Sequence, residues 1–423
     1  MNTFLEKMKT TFTDPIMRKR IGFTLGALVM FRLLAAIPIP GINAVSLAKF
    51  LAGNQLIGLF NIFSGGGISN FSIVMLGVGP YITASIIMQL LTMMSPQLKS
   101  LFQEEGERGR LKLSQYSRLL AVPLALIQSL GFIKLLQSQN VLGSLSLSAM
   151  VTNIIVISAG SILLMWIGEL ISEFGIGNGV SLIIFAGIIA RLPTTVVQFF
   201  NTFDSTQIPV YLIALAVGLI VILAVVYVTE AERSVPVTYA KQVRGNKIYG
   251  GVSTYLPLRL NQAGVIPIIF ALSILLFPRV IANFLVNSSN LIVAHIATVV
   301  SAILANGWIY NSIYFLFVVI FTYFYTAVTF DPKMISENLQ KGGAFIPGIR
   351  PGEPTMLYLG KVVTRITLVG ALFLGIIAVL PLVMQSATGN TTLAIGGTAL
   401  LIVVSVILDL VKRVDAQLSM REY

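Results

Sequence analysis

Residues 366–386 read ITLVGALFLGIIAVLPLVMQS, twenty-one residues without a charge, entered from Lys361 and Arg365. The run is continuous rather than alternating. Its length suits an α-helix crossing a hydrocarbon core of ~30 Å and far exceeds the ~10 residues of a barrel strand. A helix also satisfies its own backbone groups where no water can bond them. Comparable runs recur at about 21–37, 74–94, 118–136, 151–172, 180–195, 211–230, 262–281, 308–329 and 393–411. The expected fold is therefore an all-α polytopic membrane protein with ten transmembrane helices.

Composition agrees. The 423 residues are 56% apolar and 10% charged, with a mean hydropathy of +0.89, too little polar surface to coat a water-soluble globule. When the ten runs are threaded in and out, 23 of the 28 Lys and Arg residues fall on one side. Only Lys49, Lys134, Arg191 and Arg279 fall on the other, and Arg32 lies inside a run. Basic segments stay in the cytoplasm, so both termini are expected there. Much of the net charge of +12 is this topological signal, and basic loops also meet anionic headgroups at about 1 kcal/mol per residue. Residues 1–20 are polar and carry five cations, which reads as a cytoplasmic start rather than a cleavable signal peptide. The absence of cysteine excludes disulfides, iron–sulfur clusters and a thiol nucleophile.

Five runs precede the linker at 196–210 and five follow it, so the second set must start on the opposite side from the first. That is the arithmetic of an inverted repeat, with halves at 1–200 and 201–423. Between the first two runs, Val45 to Ser72 is too polar to span yet holds Leu56-Ile57-Gly58-Leu59-Phe60 and Ile62-Phe63. Irregular backbone at membrane depth survives only where protein or a cavity surrounds it. Asn61 to Phe71 therefore reads as a re-entrant half-helix, and equally as a periplasmic loop along the headgroups. Two loops are larger than topology requires. Residues 231–261 hold Lys241, Arg244, Lys247 and Arg259 with no acid from 241 to 259, and residues 331–365 hold five cations against Asp331, Glu337 and Glu353. They suit a grip on a cytoplasmic partner, or solvated connection alone.

Residues for covalent chemistry are nearly absent. His295 is the sole histidine, no GxxxxGK[ST] loop exists, and Ser46-Leu47-Ala48-Lys49 is too short a pattern to mean anything. No enzyme activity, metal or cofactor is expected. Charged residues near the spans are few: Arg32, Glu169, Glu173 and Asp409, none at a midplane. A secondary transporter of a small solute, the alternative class, ordinarily places a carboxylate there. Val78 and Ile82 instead stand four apart beside Pro80, facing the same way on a helix. A ring of such side chains can seal a pore by excluding water, although lipid-facing residues have the same character.

Longer motifs carry a resemblance. Asn61-Ile-Phe-Ser-Gly-Gly-Gly, Gly79-Pro-Tyr-Ile-Thr-Ala-Ser-Ile-Ile-Met-Gln-Leu-Leu, Glu105-Gly-Glu-Arg-Gly-Arg, Gly175-Ile-Gly-Asn-Gly-Val-Ser, Leu256-Pro-Leu-Arg-Leu-Asn-Gln-Ala-Gly-Val-Ile-Pro and Gly343-Ala-Phe-Ile-Pro-Gly-Ile-Arg-Pro-Gly closely resemble the SecY family of bacterial protein-conducting channels, from about residue 18 to 418. The resemblance implies two five-helix halves around a central pore in the bacterial plasma membrane, with SecE and SecG as companion subunits. Unfolded signal-bearing polypeptides would cross the middle, and membrane helices would leave sideways into lipid. It implies a constriction of Val78, Ile82, Ile184, Ile269 and Ile402, where valine at 78 departs from the usual isoleucine. A plug is implied at about 61–71, including Asn61, Ile62, Phe63, Ser64, Gly65, Gly66, Gly67 and Ile68. The lateral gate would carry Thr83, Gln128 and Asn261. Arg350, Arg244, Lys247 and Lys241 would meet the ATPase SecA and the ribosome, whose RNA phosphates attract such cations.

Overall fold

The computed structural model describes residues 13–39, 67–68, 71–103, 106–138, 141–143, 146–190, 192–194, 197, 208–240, 242–244, 247–249, 253–286, 290–388 and 391–419. The chain is mostly helical. In order, α1 (Pro15–Ala36), α2 (Gly79–Met94), α3 (Pro96–Gln103), α4 (Gly106–Ser138), α5 (Leu147–Phe174), α6 (Gly179–Ile189) and α7 (Ile208–Glu230) precede the strands β1 (Glu232–Tyr239), β2 (Gln242–Arg244), β3 (Lys247–Tyr249) and β4 (Ser253–Arg259). Then come α8 (Ile266–Leu285), α9 (Leu291–Ala305), α10 (Gly307–Thr329), α11 (Pro332–Lys341), β5 (Ala344–Phe345), α12 (Glu353–Thr388) and α13 (Thr391–Ser419). Among the described residues, four helical stretches are long and apolar enough to cross a membrane: Leu111–Gln137, Leu147–Phe174, Gly307–Lys341 and Glu353–Val383. Shorter apolar helices include Leu215–Glu230, Ile266–Leu275 and Leu291–Ala305.

Helix starts follow from local chemistry. Asn178 accepts from Ser181 N at 3.1 Å to open α6, and Asp331 accepts from Lys333 N at 2.9 Å to open α11 just before Pro332. Each cap satisfies an amide that the helix cannot. Glycine permits the closest helix contacts, because small residues let backbones approach. A Cβ at Gly160 would overlap the Ile73 carbonyl, and one at Gly179 the Gly168 carbonyl.

The helices before the linker pack as α2 on α4, α4 on α5, and α5 on α1 and α6. After it, α8 packs on α10, α10 on α12, α12 on α13 and α13 on α7. The two groups touch along two seams: α8 against α2 and α4, and α6 against α13.

The expectation of an all-helical chain is corrected in the basic loops. β1 lies between β4 and β5, antiparallel to both, with Val235 opposite Leu256 and Thr238 opposite Phe345. Val235 and Val237 are buried while Ser234 and Pro236 are exposed. This period of two is what a half-buried strand needs. Pro236 lacks an N–H, and β5 pairs only at Thr238 and Tyr239, so the ladder loses nothing there. The sheet joins both basic loops into one unit, with Val235, Val237, Leu258, Ala344, Ile346, Leu359 and Val362 forming a common core.

Candidate functional site

The five aliphatic residues expected at a constriction lie on four helical elements. Val78 caps α2, Ile82 lies in its first turn, Ile184 is central in α6, Ile269 is in the first turn of α8 and Ile402 is in α13. Their exposures are 0%, 6%, 1%, 7% and 1%, and all five belong to one apolar cluster.

The backbone before Val78 is held tightly. Gly77 has φ +58, a conformation that disfavours a Cβ, and its carbonyl accepts from the Ser161 hydroxyl at 2.7 Å. This turn delays α2 until Gly79, so residues 74–78 of the expected span are turn rather than helix.

Of the expected plug, Asn61, Ile62, Phe63, Ser64, Gly65 and Gly66 lie outside the described residues. Gly67 and Ile68 form a turn in which Ser72 N donates to Gly67 O at 2.8 Å and Phe71 N to Ile68 O at 3.1 Å. Ile68 is wholly buried among Phe71, Met75, Phe132, Leu136 and Ile157. An antiparallel bridge joins Pro38 to Ser72, and Ile73 N donates to Ile37 O at 3.1 Å. This end of the segment is therefore tied to the chain leaving α1.

The expected gate helices do adjoin, since α8 packs on both α2 and α4. Two of the three polar residues expected there hydrogen-bond within their own segments. Thr83 donates to Gly79 O at 3.0 Å on its own helix, and Asn261 donates to Gly264 O at 3.2 Å. Gln128 sits half-buried on α4. The Asn261 Oδ1 is buried without a partner and borders a cavity of about 260 Å³ with Asn178, Ser181, Arg259, Ser405 and Asp409. Around it, Lys412 pairs with Glu230 at 2.8 Å and Arg413 with Asp409 at 2.8 Å.

Arg350 is exposed on a rigid loop. Thr355 donates to its carbonyl at 2.8 Å, Ser336 donates to Gly352 O at 2.6 Å, and Ile349 N donates to Ile346 O at 3.0 Å. Gly348 and Gly352 take φ +82 and +93, which lets the backbone double back twice. Lys241 lies outside the described residues. Arg244 and Lys247 are direct partners across the β2–β3 hairpin. Sequence reasoning missed Ser336 and Thr355, whose spacing from the loop gives no short-range signal. It also missed the Arg118–Glu169 ion pair between α4 and α5.

This architecture recurs among solved structures. A structure described as that of a protein conducting channel matches 94% of this chain and 92% of its own, with a TM-score of 0.64 at 20% identity. Sec61 in a canine ribosome–channel complex from the endoplasmic reticulum matches with a TM-score of 0.61 at 19% identity, covering 94% of this chain and 92% of its own. The fold is thus that of the helical protein-conducting channels. The SecY family model matches residues 72–411. The protein translocase subunit SecY of Corynebacterium glutamicum is 43% identical over 441 residues, 97% of each chain. That of Aquifex aeolicus is 41% identical over 428 residues, covering 99% of this chain and 98% of its own. The chain belongs to the SecY family and is a membrane-embedded, protein-conducting channel subunit. This reading displaces the small-solute transporter.

Proposed function

We propose that the chain is a passive, gated conduit through which unfolded secretory polypeptides cross a bacterial plasma membrane, with membrane helices released sideways between α2/α4 and α8/α10. The observation that supports the reading is that Val78, Ile82, Ile184, Ile269 and Ile402 are all buried and belong to the apolar cluster that both helix groups share. In this reading ten crossings form two inverted halves, 1–200 and 201–423, with both termini in the cytoplasm. The aliphatic waist seals the passage at rest. Residues 61–71 act as a plug that moves off it, and Thr83, Gln128 and Asn261 contribute polar contacts to the lateral gate.

The sequence holds no GxxxxGK[ST] loop, and in this reading the driving energy comes from partners: SecA, or a translating ribosome, with SecE and SecG completing the membrane complex. Solved relatives that sit on ribosomes, canine Sec61 and yeast Ssh1, support the ribosome as a partner. Exposed Arg350 on its locked loop, with Arg244, Lys247 and Lys241 on the neighbouring loop, forms the docking surface. The test is reconstitution in vesicles with SecE and SecG. Addition of SecA, ATP and a signal-bearing precursor should make the precursor protease-resistant. Failure of that protection, in vesicles where an established SecYEG complex gives it, would defeat the proposal.

A further inference from the structure

α9 is apolar but only 15 residues long. At 1.5 Å per residue it reaches about 22 Å, short of a ~30 Å hydrocarbon core. Asparagine closes it at both ends: Asn290 Oδ1 accepts from Ile292 N at 3.0 Å, and Asn306 donates its backbone N–H to Ile303 O at 3.3 Å. Asn306 also caps α10, accepting from Trp308 N at 3.1 Å, so a single residue joins the two helices. α10 lies within a stretch long and apolar enough to cross a membrane, and its far end leads to Lys333 and Lys341. α9 therefore stands at the side of the bilayer away from the basic loops.

The helix has three faces at the helical spacing. Val293, Ala297, Val300 and Leu304 share one and are all buried or half-buried. Ile292, Ile296, Val299 and Ile303 share the second and are all exposed. His295, Thr298, Ala302 and Ala305 lie on the third, also exposed. A stripe of branched aliphatic side chains beside a stripe of small and polar ones suits a helix lying in a membrane surface. In sequence the apolar surface runs on into exposed Trp308 and Ile309 at the head of α10. Tryptophan concentrates at that level, where its ring meets lipid and its N–H meets water. No Lys, Arg, Asp or Glu lies in residues 291–305, so apolar area rather than charge holds the helix to its partner.

We propose that α9 lies in the plane of the bilayer surface, in the leaflet away from the basic loops, with Ile292, Ile296, Val299 and Ile303 sunk among lipid acyl chains and Thr298 in water. Because α9 packs on both α8 and α10, it holds their adjoining ends at the depth of that interface. The inference rests on membrane embedding and not on the gate reading.

The chain has no cysteine, so one introduced residue carries a fluorescent label uniquely. Ile296→Cys and Thr298→Cys are each labelled with nitrobenzoxadiazole and reconstituted with cysteine-free SecE and SecG in neutral phosphatidylcholine vesicles, with iodide available on both sides. Lipids bearing a nitroxide just below the headgroup should quench the label at 296 about threefold more than the label at 298, and aqueous iodide should give the reverse order. Val299→Cys, on the same stripe, replaces Ile296→Cys if that variant does not assemble. Equal iodide quenching at both positions without lipid quenching would put the helix in water. Shielding of the stripe label from both quenchers would put a companion subunit over it, and lipid quenching of both labels would make α9 a re-entrant helix. Each of these three results overturns the proposal.

Discussion

Ser161 on α5 donates its hydroxyl to the carbonyl of Gly77 at 2.7 Å, joining two buried residues 84 positions apart immediately before Val78. The bond makes the position of Val78 depend on α5. Gly77 cannot be satisfied by its own turn alone, because α2 begins only at Gly79.

Ser161→Ala leaves that carbonyl unpaired in a buried site. An unmade hydrogen bond of this kind costs about 1–3 kcal/mol, so the purified complex should unfold at a lower temperature. Val78 would also be less fixed, raising ion leakage through the resting channel. Thermal unfolding in detergent and conductance in planar bilayers measure the two effects, and wild-type behaviour in both would remove the bond's assigned role.

Gly160→Ala should be far more harmful than its chemistry suggests. The added methyl would meet the Ile73 carbonyl and the Val74 side chain, in a segment tied down by the Ile73 N–H donating to Ile37 O. Overpacking of this kind costs about 1–3 kcal/mol or more. Gly218→Ala on α7 is the control, since its Cβ meets nothing within 4 Å. Expression and monodispersity should fall for the first variant and hold for the second. Equal behaviour would contradict the close approach of α5 to the 71–78 turn.

Ile82→Asn combined with Ile402→Asn places two amides in the waist. Water enters a constriction once polar groups line it, so resting vesicles should leak ions several-fold faster. An ion-flux assay decides. An unaltered leak would mean that these side chains pack without sealing a passage.

Apolar runs made most of the helices readable from sequence, because lipid demands roughly twenty uninterrupted residues. The same signal misplaced ends that extend into water. α4 begins at Gly106 rather than 118 and α12 at Glu353 rather than 366, since polar turns continue each helix beyond the hydrocarbon. α9 escaped notice because its 15 residues are too few to span. The strands were legible in the alternation of Val235 and Val237 with Ser234 and Pro236, a period of two that a search tuned to long runs passes over. At the site, Val78 and Ile82 shared a face by spacing alone. The grouping of Ile184, Ile269 and Ile402 with them came only by resemblance, because it depends on helices from distant parts of the chain. The unpartnered Asn261 Oδ1 could not be found that way at all, since only packing reveals an orphaned atom.

Arg350→Glu and Thr355→Ala separate charge from posture in the docking loop. Arg350 is exposed, so reversing its charge should leave folding within about 0.5 kcal/mol of wild type. It should still cut SecA-driven transport strongly, because a partner surface selected for a cation meets an anion of the wrong sign. Thr355→Ala keeps the charge but removes the donor to the Arg350 carbonyl. The loop should then sample more conformations between Gly348 and Gly352, and transport should weaken moderately. SecA affinity and ATP-driven protection of a precursor, measured on the same preparations, distinguish the two. If Arg350→Glu binds SecA and transports like wild type, the loop is a structural corner of the sheet and the docking surface lies elsewhere.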